Sequence, residues 1–450
     1  MYNNIWRWHF YAGLFCIPFI LVLSITGGIY LFKPQVEAVL EQPYDQLKII
    51  GTTTSASAQV SAALAVVPGA VLNAYVLPET PHSAVRVLLG QRKDLTRVYV
   101  HPETLEILKV EHEDDKLMRV VHRIHGELLL GDRGSNLVEL AASWAIVMII
   151  TGLYLWWPTN SKSLAGIAYP RLNKNGRVWW RDLHAVTGFW ISFFTLFLLL
   201  SGLPWAKSWG GLLKEVRHMS SGKVVEQDWT TGRSSALAER QKMNTAALGD
   251  EAEHANHNGH KHNMDKIKSN KTDYSPLDRL VTTLQPLHLV APVLISPPSK
   301  KSPNWNARSE TQNRPLRESL VLDASTGEIK SRKKFADKPL LDRIVGYGIA
   351  IHEGQLFGWF NQLLGLLTAL GLSLLSVSAI VLWWRRRAVG TLGAPPANRK
   401  SVNYAYGLIG LIVVLGVLLP FLGISLVAVL LVERWVLRYI PAAKNFIGLN

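Results

Sequence analysis

Trp180-Arg181-Asp182-Leu183-His184 opens an apolar run in which Gly188 and Gly202 follow the histidine by 4 and 18 residues. Trp6-Arg7-Trp8-His9 opens another, with Gly13 and Gly27 at the same two offsets. A second pair of histidines precedes the remaining long apolar runs. Ile124-His125-Gly126-Glu127-Leu128-Leu129-Leu130-Gly131 leads into one, and Ile351-His352-Glu353-Gly354-Gln355-Leu356-Phe357-Gly358 into the other. Four histidines at matched ends of four apolar helices read as two axial ligand pairs, the requirement of a chain that carries two haems through a bilayer.

Apolar stretches at 10–32, 137–157, 185–205 and 359–384 reach the ~20 residues needed to cross a hydrocarbon core in a chain of 450 residues that is 48% hydrophobic and holds 16 Trp. The first run is too long for a signal-peptide core and reads as a retained anchor. A fifth apolar region, 404–432, is interrupted by Pro420 and reads either as one kinked span or as a short hairpin, each arm short of a ~30 Å core. The fold expected is a membrane α-helical bundle of four core spans in two duplicated halves. To it are added a C-terminal span or hairpin and small α+β modules outside the membrane.

The net charge of +15 is not distributed as in a nucleic-acid-binding protein. Lys162, Arg171, Lys174, Arg177 and Arg181 share one short loop, and Arg385, Arg386, Arg387, Arg399 and Lys400 another. Short basic loops stay cytoplasmic. That places 1–33 as the first span with a cytoplasmic N-terminus, 34–136 outside, 137–157 as the second span and 158–182 inside. The third span follows at 183–205, then 206–350 outside, an interfacial segment and fourth span at 351–384, 385–403 inside, and a C-terminal membrane region at 404–450. Trp156-Trp157 and Trp383-Trp384 close the second and fourth spans as interfacial aromatics. The single cysteine, Cys16, lies in a span, which leaves no disulfide framework.

Each outer segment has strand-turn-strand patterning, at Val98–Glu106 and at Leu320–Glu328. The first also holds an Ala-rich helix at 55–66 and strands at 70–77 and 84–89. Residues 244–272 are polar and read as a disordered insert. Its cluster His254, His257, His260 and His262 reads as a solvated linker or as a collector of metal.

Depth and duplication pair His9 with His184 and His125 with His352 as bis-histidine iron ligands. Gly13 and Gly188, one turn beyond their histidines, leave room for a flat macrocycle. Arg7, Arg181, Arg123 and Arg343 flank the pairs, either as propionate partners or as snorkelling cations. His122 shares a face with His125, but the corresponding residue in the second half is Ile349. His122 is therefore a reserve ligand or a propionate hydrogen-bond donor. No Cys-x-x-Cys-His exists for covalent attachment, so the haems are b-type.

The segments Trp8-His9-Phe10-Tyr11-Ala12-Gly13, His122-Arg123-Ile124-His125-Gly126-Glu127-Leu128, Asp182-Leu183-His184-Ala185-Val186-Thr187-Gly188 and His352-Glu353-Gly354 resemble the PepSY-associated transmembrane family of bacterial inner-membrane proteins, over residues 1–390 or so. Members of that family include di-haem ferric-siderophore reductases. The resemblance implies electron delivery to periplasmic ferric siderophore. No Gly-x-Gly-x-x-Gly fingerprint or phosphate loop is present, so a cytoplasmic protein or quinol must supply the electrons. The alternative is a regulatory or ligand-binding membrane protein with PepSY-like outer modules and no redox activity.

Overall fold

The computed structural model describes residues 2–91, 94–158, 163–221, 273–299, 303–395 and 406–448. The His-rich insert at 244–272 lies outside the described residues. The chain divides into two compact units, one built from Met1–Leu31, Val121–Arg233 and Phe357–Asn450, the other from Phe32–Val120 and Ser234–Leu356.

The first unit is a bundle of four long apolar helices: α1 (Tyr2–Tyr30), α5 (Asp132–Trp156), α6 (Gly176–Gly202) and α10 (Gly358–Arg386). All four are long and apolar enough to cross a membrane. Their burial pattern is inverted relative to a water-soluble bundle. Inside lie small and polar residues such as Ala12, Cys16, Ser24, Thr26, Ser143, Thr151, Ser376 and Ser378. Ile25, Phe193, Leu367 and Leu370 are more than half exposed. Large apolar side chains facing out and small residues at helix contacts are what a lipid solvent selects. The chain is a multi-pass membrane protein.

Contacts run α1–α5–α6–α10–α1, each neighbouring pair antiparallel. Gly13 faces Met148, Gly188 faces Leu375, and Gly28 faces Ala369. Ser24 and Ser373 share a hydrogen bond of 2.9 Å. Helix α6 begins at Gly176, so the basic loop expected over 158–182 ends about two turns earlier. Asp182, 1% exposed, explains this: it accepts from Arg171 at 2.6 and 2.7 Å and from Arg181 at 3.0 Å, which pins the loop to the first turns of the helix. Trp156 and Trp383 donate their indole N–H to Ile167 and Leu392 carbonyls, whereas Trp157 and Trp384 are about two-thirds exposed, as befits an interfacial belt.

The C-terminal region is a hairpin. Helices α11 (Tyr406–Leu418) and α12 (Pro420–Leu431) meet at Leu419 with a bend of 120°. A Cβ on Gly423 would sit 2.4 Å from the Gly416 carbonyl oxygen, so only glycine permits so close a crossing there. Leu419 and Leu422 pack with Ile146 and Leu203, and Trp144 donates to Ser425 at 3.0 Å. Both ends of the region return to one place: Arg7 donates to the carbonyls of Pro395 and Gly448. Arms of 13 and 12 residues, about 20 Å each at 1.5 Å per residue, need not span the core.

Glu139, 2% exposed in α5, is a carboxylate inside a membrane helix. It accepts from the backbone N–H groups of Ser208 and Trp209 at 3.0 and 3.3 Å, capping α7 (Lys207–Ser221) from a neighbouring helix. Glu139→Ala is expected to lower the unfolding midpoint in detergent by an amount equivalent to about 1–3 kcal/mol, with Glu139→Gln retaining most of it. Equal midpoints for Glu139→Ala and the parent would show that the cap is dispensable.

The second unit is a two-layer α+β body. The sequence pattern leads one to expect a separate small module per outer segment. The two instead share one sheet of eight strands, ordered β4-β3-β2-β1-β5-β6-β7-β8. Strands β1 (Val71–Leu77), β2 (Val85–Gln91), β3 (Asp94–Val100) and β4 (Ile107–His112) form one half; β5 (Val293–Ser296), β6 (Trp305–Ser309), β7 (Glu318–Leu322) and β8 (Ile329–Lys334) form the other. The halves join edge to edge, with Tyr75 opposite Ile295. Pairing two edges removes two aggregation-prone rows of backbone donors and acceptors.

Helices α3 (Ala56–Val66) and α8 (Pro276–Leu284) cover one face over a core that includes Val60, Leu89, Val98, Leu280, Ile295 and Leu320. Asp278 caps α3 across this seam, accepting from Ser57 N and Oγ at 2.8 and 2.6 Å. On the other face, Glu41 of α2 (Lys33–Asp45) bonds Lys116, Arg86 and Tyr99. Burial pushes its carboxyl up, but the two cations win and hold it at about 2.

Candidate functional site

His9 and His184 lie near the same end of the bundle, on α1 and α6, partly buried and near enough to interact electrostatically. His9 Nδ1 lies 2.9 Å from Thr151 Oγ1 on α5. His184 Nδ1 lies 3.0 Å from Ser378 Oγ and 3.2 Å from the Leu375 carbonyl on α10. At the other end, His125 is carried by the interfacial helix α4 (Leu117–Glu127), and its Nδ1 lies 3.1 Å from Thr26 Oγ1 on α1.

The direction of these bonds follows from the inventory of hydrogens. A hydroxyl has one hydrogen. Thr151 gives its hydrogen to Val147 O at 2.7 Å, Thr26 to Val22 O at 2.7 Å, and Ser378 to Leu375 O at 2.9 Å. Each hydroxyl is therefore left as an acceptor, and each histidine donates from Nδ1. For His184 the Leu375 carbonyl, which can only accept, requires the same tautomer. A neutral imidazole protonated at Nδ1 keeps a lone pair on Nε2, and the outer hydrogen bond fixes its orientation. This is how proteins prepare a histidine to bind a metal.

The residue after each hydroxyl is small. A Cβ on Gly152 would lie 3.1 Å from His9 Cε1, and one on Gly27 would lie 3.0 Å from His125 Cε1. Thr151-Gly152 and Thr26-Gly27 each supply an acceptor and a gap for the ring. Sequence reasoning missed the hydroxyls, although the signal was present. Thr26 follows His9 by 17 residues, as Ser201 follows His184; Thr151 follows His125 by 26, as Ser378 follows His352. All four are followed by Gly or Ala.

Gly13 and Gly188, read as room for a macrocycle, do different work. Their open sides meet Met148 Cε at 3.3 Å and Leu375 Cδ2 at 3.6 Å, so they bring α5 and α10 close. Arg7 is neither a free propionate partner nor a snorkelling cation. It is 7% exposed, and its guanidinium is taken by Pro395 O, Gly448 O at 2.7 Å and Tyr11 Oη at 2.9 Å. Arg181 is held by Asp182. Arg123 Nε and Arg343 Nε, by contrast, are buried with no hydrogen-bond partner among the described residues.

His122 packs between Tyr30 and Trp205, with ring centroids 5.5 and 6.3 Å away; Ile349, which precedes His352 by three residues as His122 precedes His125, is fully buried. His352 closes α9 (Leu340–His352) in the sheet unit, beside the buried Glu353. Burial raises the Glu353 carboxyl while Arg314, Arg317 and Lys33 pull it down; the balance is upward.

The donor set fits a porphyrin iron. Nδ1 of each described bundle histidine is held by an oxygen of a neighbouring helix, and glycines stand where a side chain would crowd the rings of His9 and His125. Buried guanidinium nitrogens await acceptors. No curated protein matches the chain. The family described as PepSY-associated TM region matches residues 6–386, most of the chain, and the chain belongs to that family.

Proposed function

We propose that this protein moves electrons across a bacterial inner membrane through two b-type haems and reduces ferric siderophore on the periplasmic side, releasing iron as Fe(II). The observation that carries this reading is that Nδ1 of His9, His184 and His125 each meets an oxygen of a neighbouring helix, at 2.9, 3.0 and 3.1 Å, which fixes how each ring is turned. His9 and His184 form the inner pair. His125 and His352 form the outer pair, by their matching places in the sequence. The equal offsets of 17 and 26 residues support two duplicated halves, related by an axis along the membrane normal.

Bound haem supplies a one-electron Fe(III)/Fe(II) couple. The chain supplies the rest. Thr151 and Ser378 hold the inner imidazoles and raise their basicity as ligands; Thr26 does so for His125. Gly27 and Gly152 admit the rings. The sheet unit provides the polar surface against which a bulky hydrophilic chelate docks without entering lipid. Arg177, Arg181 and Arg385–Arg387 at the His9 end mark the cytoplasmic side. Electrons enter there from a protein or quinol donor, since the chain has no dinucleotide fingerprint.

In the test, purified protein is pre-reduced and mixed with ferric siderophore and a ferrous trap. Haem reoxidation and trapped Fe(II) are expected together, with both slowed at least tenfold in His352→Ala. A purified protein with no reducible b-type spectrum, or reoxidation unaffected by His352→Ala, overturns the proposal in favour of a regulatory or ligand-binding role.

A further inference from the structure

We propose that Arg386 and Arg177 form an oxyanion-binding pair at the cytoplasmic end of the inner cofactor site, and that the anion they take is a haem propionate carboxylate. This rests on the haem reading above. Arg386, the last residue of α10, lies over the rings of Phe10 and Trp6, at 4.7 and 5.2 Å from their centroids. Those rings belong to the residues one after and three before His9 on α1. The aromatic walls fix the guanidinium plane next to the helix turn that carries the proposed ligand.

Arg386 Nε is buried with no hydrogen-bond partner among the described residues. The start of α6 lies against the end of α10: a Cβ on Gly176, the residue before Arg177, would stand 3.9 Å from Nη1 of Arg385, the residue before Arg386. The like charge of Arg177 acts on Arg386, and among the described residues neither forms an ion pair. Arg177 is exposed and solvated, so the cost falls on Arg386, whose buried donor an anion shared with Arg177 would satisfy. Arg177 precedes His184 by 7 residues. It is thus two turns below that ligand on the same helix face, about 10 Å along the axis. The two arginines first suspected of this role are committed elsewhere: Arg7 to the C-terminal hairpin and Arg181 to Asp182. Arg387 belongs to the interface, over the rings of Trp383 and Trp384.

A lipid phosphate has the same oxyanion chemistry, so the experiment separates the two sources. Full-length protein is reconstituted in phosphatidylcholine vesicles, with and without phosphatidylglycerol, and titrated spectroelectrochemically so that the two haem couples are resolved. A cation beside a propionate favours the less positive, ferrous state. Arg386→Gln and Arg177→Gln should therefore each shift the inner couple about tenfold toward ferric, about 59 mV for one electron. The outer couple should stay in place. Arg386→Lys should recover most of the shift, and Arg387→Gln should move neither couple. Loss of the inner haem alone in Arg386→Gln, with retention in Arg386→Lys, also supports the assignment. Unmoved couples in both Gln variants overturn it and leave the haem reading intact. A shift seen only with phosphatidylglycerol assigns the pair to lipid headgroups instead. Absence of haem from the parent protein overturns the underlying reading.

Discussion

Replacing His184 by Ala is expected to lower bound haem from two per chain to one and to leave the spectrum and potential of the outer haem unchanged. The argument is local. His184 is held by two oxygens of α10, Ser378 Oγ at 3.0 Å and Leu375 O at 3.2 Å, near enough to His9 to act on it electrostatically. An alanine there would remove one proposed axial ligand, and Cys16, buried on α1 against the Ala141 carbonyl, would not replace it. The outer site draws its acceptor from Thr26, 17 residues further along α1 than His9, about 25 Å at 1.5 Å per residue. Haem stoichiometry by pyridine haemochromogen and a reduced-minus-oxidised spectrum read the result. Full occupancy of both haems in His184→Ala would show that the inner pair is wrongly assigned.

The milder Ser378→Ala separates ligation from orientation. It removes one acceptor but leaves the Leu375 carbonyl, so haem should stay while the inner potential moves.

The four spans were legible because a hydrocarbon solvent imposes length and composition on every helix that crosses it. The runs at 185–205 and 359–384 fall inside one observed helix or its immediate 3-10 extension, while 10–32 and 137–157 overrun theirs by two residues and one. The Ala-rich stretch is α3, its end marked by Ser55, which accepts from Ala58 N.

What was not legible depends on contacts distant in sequence. The joining of both strand sets through Tyr75 and Ile295 spans 220 residues, and no local pattern encodes an edge pairing. Arg7 looked like a snorkelling or propionate-binding cation because its real partners, the carbonyls of Pro395 and Gly448, are backbone atoms that any sequence provides. The hairpin at Leu419 was ambiguous for a related reason: whether it crosses depends on where its ends are tied. The hydroxyls at 26, 151 and 378 are the opposite case. The offsets that pair the histidines also pair these hydroxyls, but Ser and Thr in membrane helices usually bond only their own backbone, which hides the signal.

Gly152→Val and Gly27→Val are expected to empty different sites. A Cβ at Gly152 would stand 3.1 Å from His9 Cε1, and one at Gly27 would stand 3.0 Å from His125 Cε1. Both distances are already tight before the two Cγ carbons of valine are added. Neither ring can retreat freely, since its Nδ1 is tied to the threonine immediately before the glycine, at 2.9 Å for His9 and 3.1 Å for His125. The ring must therefore rotate away from its axial position or break the bond that sets its tautomer. Overpacking of this kind costs about 1–3 kcal/mol, which is roughly a 5- to 150-fold loss of haem affinity. Gly13→Ala is the contrasting case: its Cβ would meet only the flexible end of Met148 at 3.3 Å, so both haems should remain. Haem titration of the three apo-proteins, with the two spectra resolved, gives the answer. Gly152→Val should lose the haem that His184→Ala loses, and Gly27→Val the other. If both valines weaken the same haem, His9 and His125 do not serve separate sites. If neither does, the rings are not held where the hydroxyl-glycine pairs place them.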